Sequence, residues 1–340
     1  MSRLNIIGID LAKTNFYLFS LSPEGKPGGR IKLSREKLIG WFTTQSRMIV
    51  AMEACGASHH WAREIQKTGH DVVMLPAQHV RAYQRRQKND YNDAQAIAEA
   101  CWHGTIRPVP VKTLSQQDEQ TFLKMRRLVS EERTQLINHI RGLMAEYGIV
   151  LRKGATELRR KLPELLEDAE NGFTPQMREL LQRQYQRLAA LDDELIWYDN
   201  RQRKNAAGDS VCQRLLSIPG FGPLVSLAVK SWMGDGKQFK RGRDASAALG
   251  LVPRQFSTGG QQVLLGITKC GNSYVRSMLI HGARAVLFRS AGKTDQLSSW
   301  VNLVREKRGF NRAVVALANK LIRIAWVIIT RNEVYRVSVA

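Results

Sequence analysis

The stretch LNIIGIDLAKTNFYLFSLS, residues 4–22, decides the fold class. Two apolar, β-rich runs, residues 4–11 and 16–22, are separated by the short AKTN, which reads as a hairpin. Outward from it, GRIKLS (29–34) is a third strand, and a helix over 35–45 leads to the strand MIVAMEA (48–54). A helix over 59–69, the strand DVVMLP (71–76) and helices around 78–86 and 93–103 follow. Strands alternating with helices after an initial hairpin predict a mixed sheet in an α/β domain. IRPVPVKTL (106–114), with two prolines, marks its end, and the expected divisions are 1–112, 113–208 and 209–340.

The 340 residues suffice for two or three domains, and 43% hydrophobic content supports real cores. No apolar run is expected to approach the roughly 20 uncharged residues that cross a bilayer. The first residues lack a signal peptide's long apolar region, so a cytoplasmic location is the default. Cys55, Cys101, Cys212 and Cys270 lie far apart with no CxxC, indicating neither a disulfide framework nor a zinc knuckle.

The formal net charge of +22 points to a polyanionic partner. Residues 1–110 carry 15 basic and 9 acidic residues, and residues 111–210 carry 17 and 16. Residues 211–340 carry 20 and 5, so the excess is concentrated in the last third. Nucleic acid fits this better than an anionic membrane, because no basic amphipathic anchor with an aromatic face stands out.

The middle segment changes character. Met125, Leu128, Leu136, Ile140, Leu143 and Tyr147 recur at multiples of three and four, as do Met177, Leu181, Leu188, Leu191, Leu195 and Tyr198. Long amphipathic helices follow, either an antiparallel or intermolecular coiled coil serving oligomerisation, or a bundle packed on its own chain. The last segment is expected to be mainly helical. LLSIPGFGPLVSLAVKSW (215–232) has a helix-hairpin-helix form, whose glycines Gly220 and Gly222 would let backbone N–H groups approach a phosphate.

Four acids carry the chemistry. Asp10 and Glu53 each end an apolar strand, the edge at which ligands bind in α/β folds. Asp90 and Asp93 stand one helical turn apart in QKNDYNDAQAIAEA (87–100), directly after a basic run. They are either helix caps or two carboxylates facing the same way, able to share a metal. Gathered without cations, four carboxylates would be driven toward protonation. Divalent ions reverse that logic, and oxygen-only donors suit Mg²⁺ or Mn²⁺.

This pattern resembles the RNase H-like (RuvC-like) superfamily and, more narrowly, the DEDD transposases of insertion-sequence family one-ten, one-one-one-one subgroup. GIDLAKTNF, AMEACGASHHWA and KNDYNDAQAIAEA resemble that family's three N-terminal motifs, in order. SIPGFGPLVS and GLVPRQFSTGG…ITKCGNSYVRSMLIHGARA resemble its C-terminal transposase domain. The resemblance implies that Asp10, Glu53, Asp90 and Asp93 are catalytic metal ligands. It implies a serine nucleophile forming a covalent DNA link, at Ser257 or, one residue on, at Thr258; the less hindered primary alcohol favours Ser257. It further implies a composite site with acids and serine from different subunits, and a homo-oligomer, dimer or synaptic tetramer. Donor and target DNA and a non-coding guide RNA are the implied partners. From the residues alone, RQFSTGGQQ is a polar, glycine-containing turn whose hydroxyls more often hydrogen-bond locally. Lys88, Arg254, Lys269 and Arg276 are candidate phosphate contacts or plain solvated cations. Two rivals share these residues: a junction-resolvase-like nuclease using water, and a basic oligomeric binder without catalysis.

Overall fold

Gly8 sets the layering of the first unit. In β1 (Ile6–Leu11) the side chains alternate between the two faces of the sheet. Ile7 and Ile9 pack on one face, while Ile6, Gly8 and Asp10 point to the other. A Cβ at Gly8 would lie 2.2 Å from the carbonyl oxygen of Ala94 and 2.6 Å from the amide nitrogen of Ala98, so only glycine lets a helix rest here. That helix is α4 (Asp90–His103), whose Ala94, Ala96, Ala98 and Ala100 are buried and small enough for the close approach.

The computed structural model describes residues 4–84 and 89–337. Lys88 lies outside them. The chain forms two compact units, Met1–Thr113 and Leu114–Ala340. The first holds a sheet of β1, β2 (Asn15–Leu21), β3 (Pro27–Ser34), β4 (Ile49–Glu53) and β5 (Asp71–Leu75) in the order β3-β2-β1-β4-β5. The first three strands form an antiparallel meander, and β4 and β5 add in parallel, so the sheet is mixed as expected. Helices α1 (Lys37–Thr43) and α2 (Ser58–Lys67) cover one face, with Leu38, Phe42, Trp61 and Ile65 packed on Ile7, Ile9, Val50 and Met52. The short α3 (Ala77–Val80) and a single 3₁₀ turn, Arg81–Tyr83, begin the stretch 78–86 expected as a helix, of which residues 85 and 86 lie outside the described residues. Helix α4 (Asp90–His103) covers the other face.

The second unit begins with long helices α5 (Leu114–Ala145), α6 (Ala155–Glu167) and α7 (Pro175–Ala207). Arg126 pairs with Asp199 and Arg133 with Asp192, a descending register that makes α5 and α7 antiparallel. Ile140, Met144, Leu181 and Leu188 are buried together with Leu158 and Leu162 of α6, in a core made within this chain. Met125 and Leu128, in the same periodic set, are exposed. Helices α5, α6 and α7 therefore share a core of their own inside the second unit, Leu114–Ala340.

Helices α8 (Ser210–Leu216), α9 (Pro223–Met233) and α10 (Gly242–Ala248) follow, then a hairpin of β6 (Pro253–Gln255) and β7 (Leu264–Ile267). Helices α11 (Ser273–Phe288), α12 (Gln296–Arg308) and α13 (Phe310–Arg331) complete the unit. Contrary to the sequence expectation, α13 is long and apolar enough by length and composition to cross a bilayer. Its apolarity serves a core: Leu317, Leu321, Ile322, Ala325 and Ile328 are buried against α9 and α11, while Arg312 and Arg323 stay exposed. The helical period places the charges and the buried stripe on different faces, which a count of apolar residues does not register.

Candidate active site

The fold draws three of the four predicted acids into one cluster. Asp10 follows Ile9 in β1 and Glu53 follows Met52 in β4, and Ile9 and Met52 are registered partners on parallel strands. The two acids therefore end neighbouring strands at the same level. Helix α4 starts beside them, held onto β1 by the Gly8 contact. Its cap is Asn89, whose side chain accepts from the Tyr91 N–H at 2.9 Å. Asp90 and Asp93 stand in the first turn instead, so capping does not account for them. Carboxylate oxygens of Asp10, Asp90 and Asp93 lie within 4.8 Å of one another.

Electrostatics set the character of this cluster. Burial, and then the charge of Asp93, raise the Glu53 carboxyl above its ordinary range, while the Arg81 guanidinium opposes them. The positive end of the α4 dipole favours anions at Asp90 and Asp93. Gln84 donates its side-chain N–H to Asp93 Oδ1 at 3.2 Å and fixes that carboxylate's orientation. Hard oxygen donors gathered this closely on three carboxylates, with Glu53 on the neighbouring strand rather than in the cluster, fit a divalent cation such as Mg²⁺ or Mn²⁺. Gln84, Arg81 and Gly8 are contributors that the sequence reading did not single out. An isolated glycine in an apolar strand was the available signal for the last.

The second group of candidates sits on the β6–β7 hairpin. Where the sequence suggests an irregular polar turn, Phe256 donates its N–H to the Val263 carbonyl at 2.9 Å, and Gln261 donates to the Thr258 carbonyl at 3.0 Å. Gly259 and Gly260 between them have φ of 55° and 79°, the two positive values of a type I′ turn. Ser257 is exposed just before this turn, and its Oγ accepts from the Gln255 side-chain amide at 3.0 Å. Thr258 is the turn's first residue, so the two hydroxyls do not share one strand face. Phe256, Val263, Leu264 and Leu265 are exposed along the same hairpin.

The remaining candidates divide by what they touch. Arg254 is exposed on β6. Lys269 is exposed with a left-handed φ of 57°, its N–H donated to the Gly250 carbonyl. Arg276 is committed to structure: its Nη1 donates to the carbonyls of Leu249 at 3.0 Å and Cys270 at 2.7 Å, tying together the two roots of the hairpin. Gly220 has φ of 84°, and a Cβ there would lie 2.6 Å from the carbonyl oxygen of Gly282 in α11, so helix packing alone demands the glycine. Gly222 caps α9 and precedes Pro223.

Comparison with known proteins agrees with this geometry. Residues 7–149 match the DEDD transposase model of the IS110 type, which spans the acids, and residues 212–298 match the transposase IS116/IS110/IS902 family, which spans the hairpin. The transposase for insertion sequence element IS1111A of Coxiella burnetii is 43% identical, over 99% of this chain and 92% of the relative. A probable family 20 transposase of Pseudomonas aeruginosa is 39% identical over 98% and 99% of the two chains. The transposase for insertion sequence element IS1328 of Yersinia enterocolitica is 34% identical over the same shares. With both family models matched and relatives alike over nearly the whole length, the chain belongs to the IS110 family of insertion-sequence transposases, enzymes that act on DNA.

Proposed function

We propose that this transposase cuts and rejoins DNA strands with a divalent metal held by Asp10, Glu53, Asp90 and Asp93 and with Ser257 as nucleophile. The observation that carries this reading is the gathering of Asp10, Asp90 and Asp93 oxygens within 4.8 Å, with Glu53 one strand away at the same level. Mg²⁺ or Mn²⁺ bound there would neutralise charge on the scissile phosphate. The protein's own part is to place and orient the carboxylates, through the close packing of α4 on β1 and the Gln84 hydrogen bond to Asp93. Ser257 Oγ attacks phosphorus, a deoxyribose oxygen leaves, and the proton lost by the serine is balanced by the one the leaving oxygen gains. Gln255, donating to Oγ, leaves the hydroxyl hydrogen free to be removed. The covalent phosphoserine link then passes the strand to a new deoxyribose oxygen.

Several finer features belong to the same reading. The strand order β3-β2-β1-β4-β5 supports an RNase H-like, RuvC-like first domain over 1–112. Helices α5 and α7 support a coiled-coil segment over 113–208, with the exposed Met125 and Leu128 available to another subunit in a dimer or tetramer. The basic domain over 209–340 would meet donor and target DNA and a guide RNA through Arg254 and Lys269, with Thr258, Gly220 and Gly222 near phosphates and Arg276 holding the hairpin. A cytoplasmic, nucleoid-associated location follows from that substrate.

One observation keeps a second reading alive: the acids gather entirely within the first unit, as a water-using nuclease needs. Incubating the protein and its copurifying RNA with Mg²⁺ and end-labelled element-junction DNA, followed by denaturing electrophoresis, separates the two. DNA attached to wild-type protein and lost in Ser257→Ala supports the serine mechanism. Cleavage of equal yield in both, without an adduct, sinks it in favour of water.

A further inference from the structure

Two cavities share a wall on α13. The larger, of about 1050 Å³, lies between the β6–β7 hairpin and helices α12 and α13. Leu264, Leu265 and Ile267 of the hairpin, Trp300 of α12 and Val315 of α13 give it apolar sides. The smaller, of about 360 Å³, is lined by Arg241, Arg243 and Trp326. Lys320 and Arg323 line both, and Arg312 stands at the far end of the larger. No acid lines either cavity among the described residues. From Arg312 to Arg323 the basic side chains follow one face of α13 for about 16 Å, at 1.5 Å per residue.

This combination suits one class of ligand. An apolar slot with an indole wall accepts a π-face, and a run of cations beside it accepts phosphates; single-stranded nucleic acid presents both in alternation. Double helix keeps its base faces stacked inside and would use only the cations. Lys320 Nζ lies 4.2 Å from the Trp300 ring centroid, so the ammonium is pinned at the junction of slot and track. Burial, and then the charge of Arg323, push Lys320 below the ordinary lysine range, as expected of cations crowded together without an anion.

The slot's position adds meaning. Gln255 pairs with Leu264, a wall of the slot, and Ser257 lies two residues beyond Gln255 along the hairpin, within about 7 Å of chain. We propose that this groove between the hairpin and α13 binds an unstacked nucleotide of the strand running to Ser257, its base in the Trp300–Leu265 slot and its phosphates along Lys320, Arg323 and Arg243. This rests on the strand-cutting reading above but does not require Ser257 to be the nucleophile.

The test is equilibrium binding of labelled oligonucleotides of one sequence, as single-stranded DNA, single-stranded RNA and blunt duplex DNA. The proteins are full-length wild type, Trp300→Ala, Arg312→Glu and Leu265→Ser, the last an exposed side chain that covers the case in which Trp300→Ala does not fold. Single-strand affinity should fall about tenfold in Trp300→Ala and Leu265→Ser, with duplex affinity changed less than about twofold, while Arg312→Glu, on the cation track that both forms would meet, should weaken both, single strands the more. A 5-iodouracil strand should photocrosslink to Trp300 or its neighbours. Preference for DNA supports the assignment to the substrate strand, and preference for RNA overturns it. Equal losses on single and double strands, unchanged single-strand affinity, or a change in sedimenting mass in Leu265→Ser overturns the proposal. Wild type that binds duplex but not single strands refutes the groove alone; wild type that binds neither refutes the strand-cutting reading with it.

Discussion

Replacing Gly8 by alanine should dismantle the acid cluster without touching an acid. The added Cβ would meet Ala94 O at 2.2 Å and Ala98 N at 2.6 Å, against an ordinary contact of 3.4 Å or more, so α4 must withdraw by about 1.2 Å. Neither obstacle is a flexible side chain; both belong to the backbone of a helix whose small residues are packed on the sheet. Overpacking of this kind costs about 1–3 kcal/mol. For a unit of this size that corresponds to several degrees in thermal midpoint. Because Asp90 and Asp93 ride on the same helix while Asp10 stays on the strand, a displacement near 1 Å should also weaken Mn²⁺ binding, by up to about a hundredfold if positional tolerance is as tight as at other catalytic sites. Calorimetric titration with Mn²⁺ and thermal unfolding would be measured on Gly8→Ala and on Gly29→Ala, where a Cβ meets nothing within 4 Å. The glycine at 29 should tolerate the change. Equal midpoints and equal Mn²⁺ affinities in Gly8→Ala and wild type would refute the argument that close helix approach builds the site.

Three further outcomes are expected. Glu53→Gln should raise the thermal midpoint at neutral pH without divalent metal and remove Mn²⁺-induced stabilisation; since the folded carboxyl is raised, its favourable contribution is full only below the unfolded value and is lost as pH rises through the folded one. Asp192→Asn should destabilise the α5–α7 pairing by about 1–2 kcal/mol, because Arg133 and Arg159 both bond to that partly buried carboxylate. Burial works against the Asp192 anion, but those arginines outweigh it and lower its pKa, so wild-type stability should hold above about pH 4 and fall as acid protonates it, a slope absent in the variant by pH-dependent denaturation. Arg276→Ala should release the carbonyls of Leu249 and Cys270, making residues 253–267 faster to cleave in limited proteolysis while the α13 core keeps its midpoint.

The mixed sheet was legible because β1 and β2 are contiguous apolar runs with one short turn between them, and the acids were legible because a carboxylate ending such a run is conspicuous. The identity of the α4 cap was not: Asn89, Asp90 and Asp93 are all competent caps by residue type, and only the Asn89 bond to Tyr91 distinguishes them. Helix α6 escaped the periodicity reading because Pro163 interrupts a short amphipathic pattern, though it sits inside the helix. The hairpin at Ser257 was hidden by its exposed apolar residues, which look like neither a core strand nor a polar loop, even though the Gly259–Gly260 pair signals a type I′ turn. The packing roles of Gly220 and Arg276 were not legible, because glycine and arginine serve both recognition and packing. Their contacts with Gly282 and with the hairpin's roots are tertiary, and no local pattern announces them.

The division of the chain at Thr113 has a consequence in time. Domains generally fold as units while the chain emerges from the ribosome, at about 5–20 residues per second. Every acid lies by residue 93 and the sheet's own core by residue 113, whereas the serine hairpin arrives only at 253–267. For roughly ten to thirty seconds of synthesis the carboxylates can already be assembled on a chain that does not yet carry the β6–β7 hairpin. Messages truncated in the interval would yield fragments that keep the acid cluster without the hairpin.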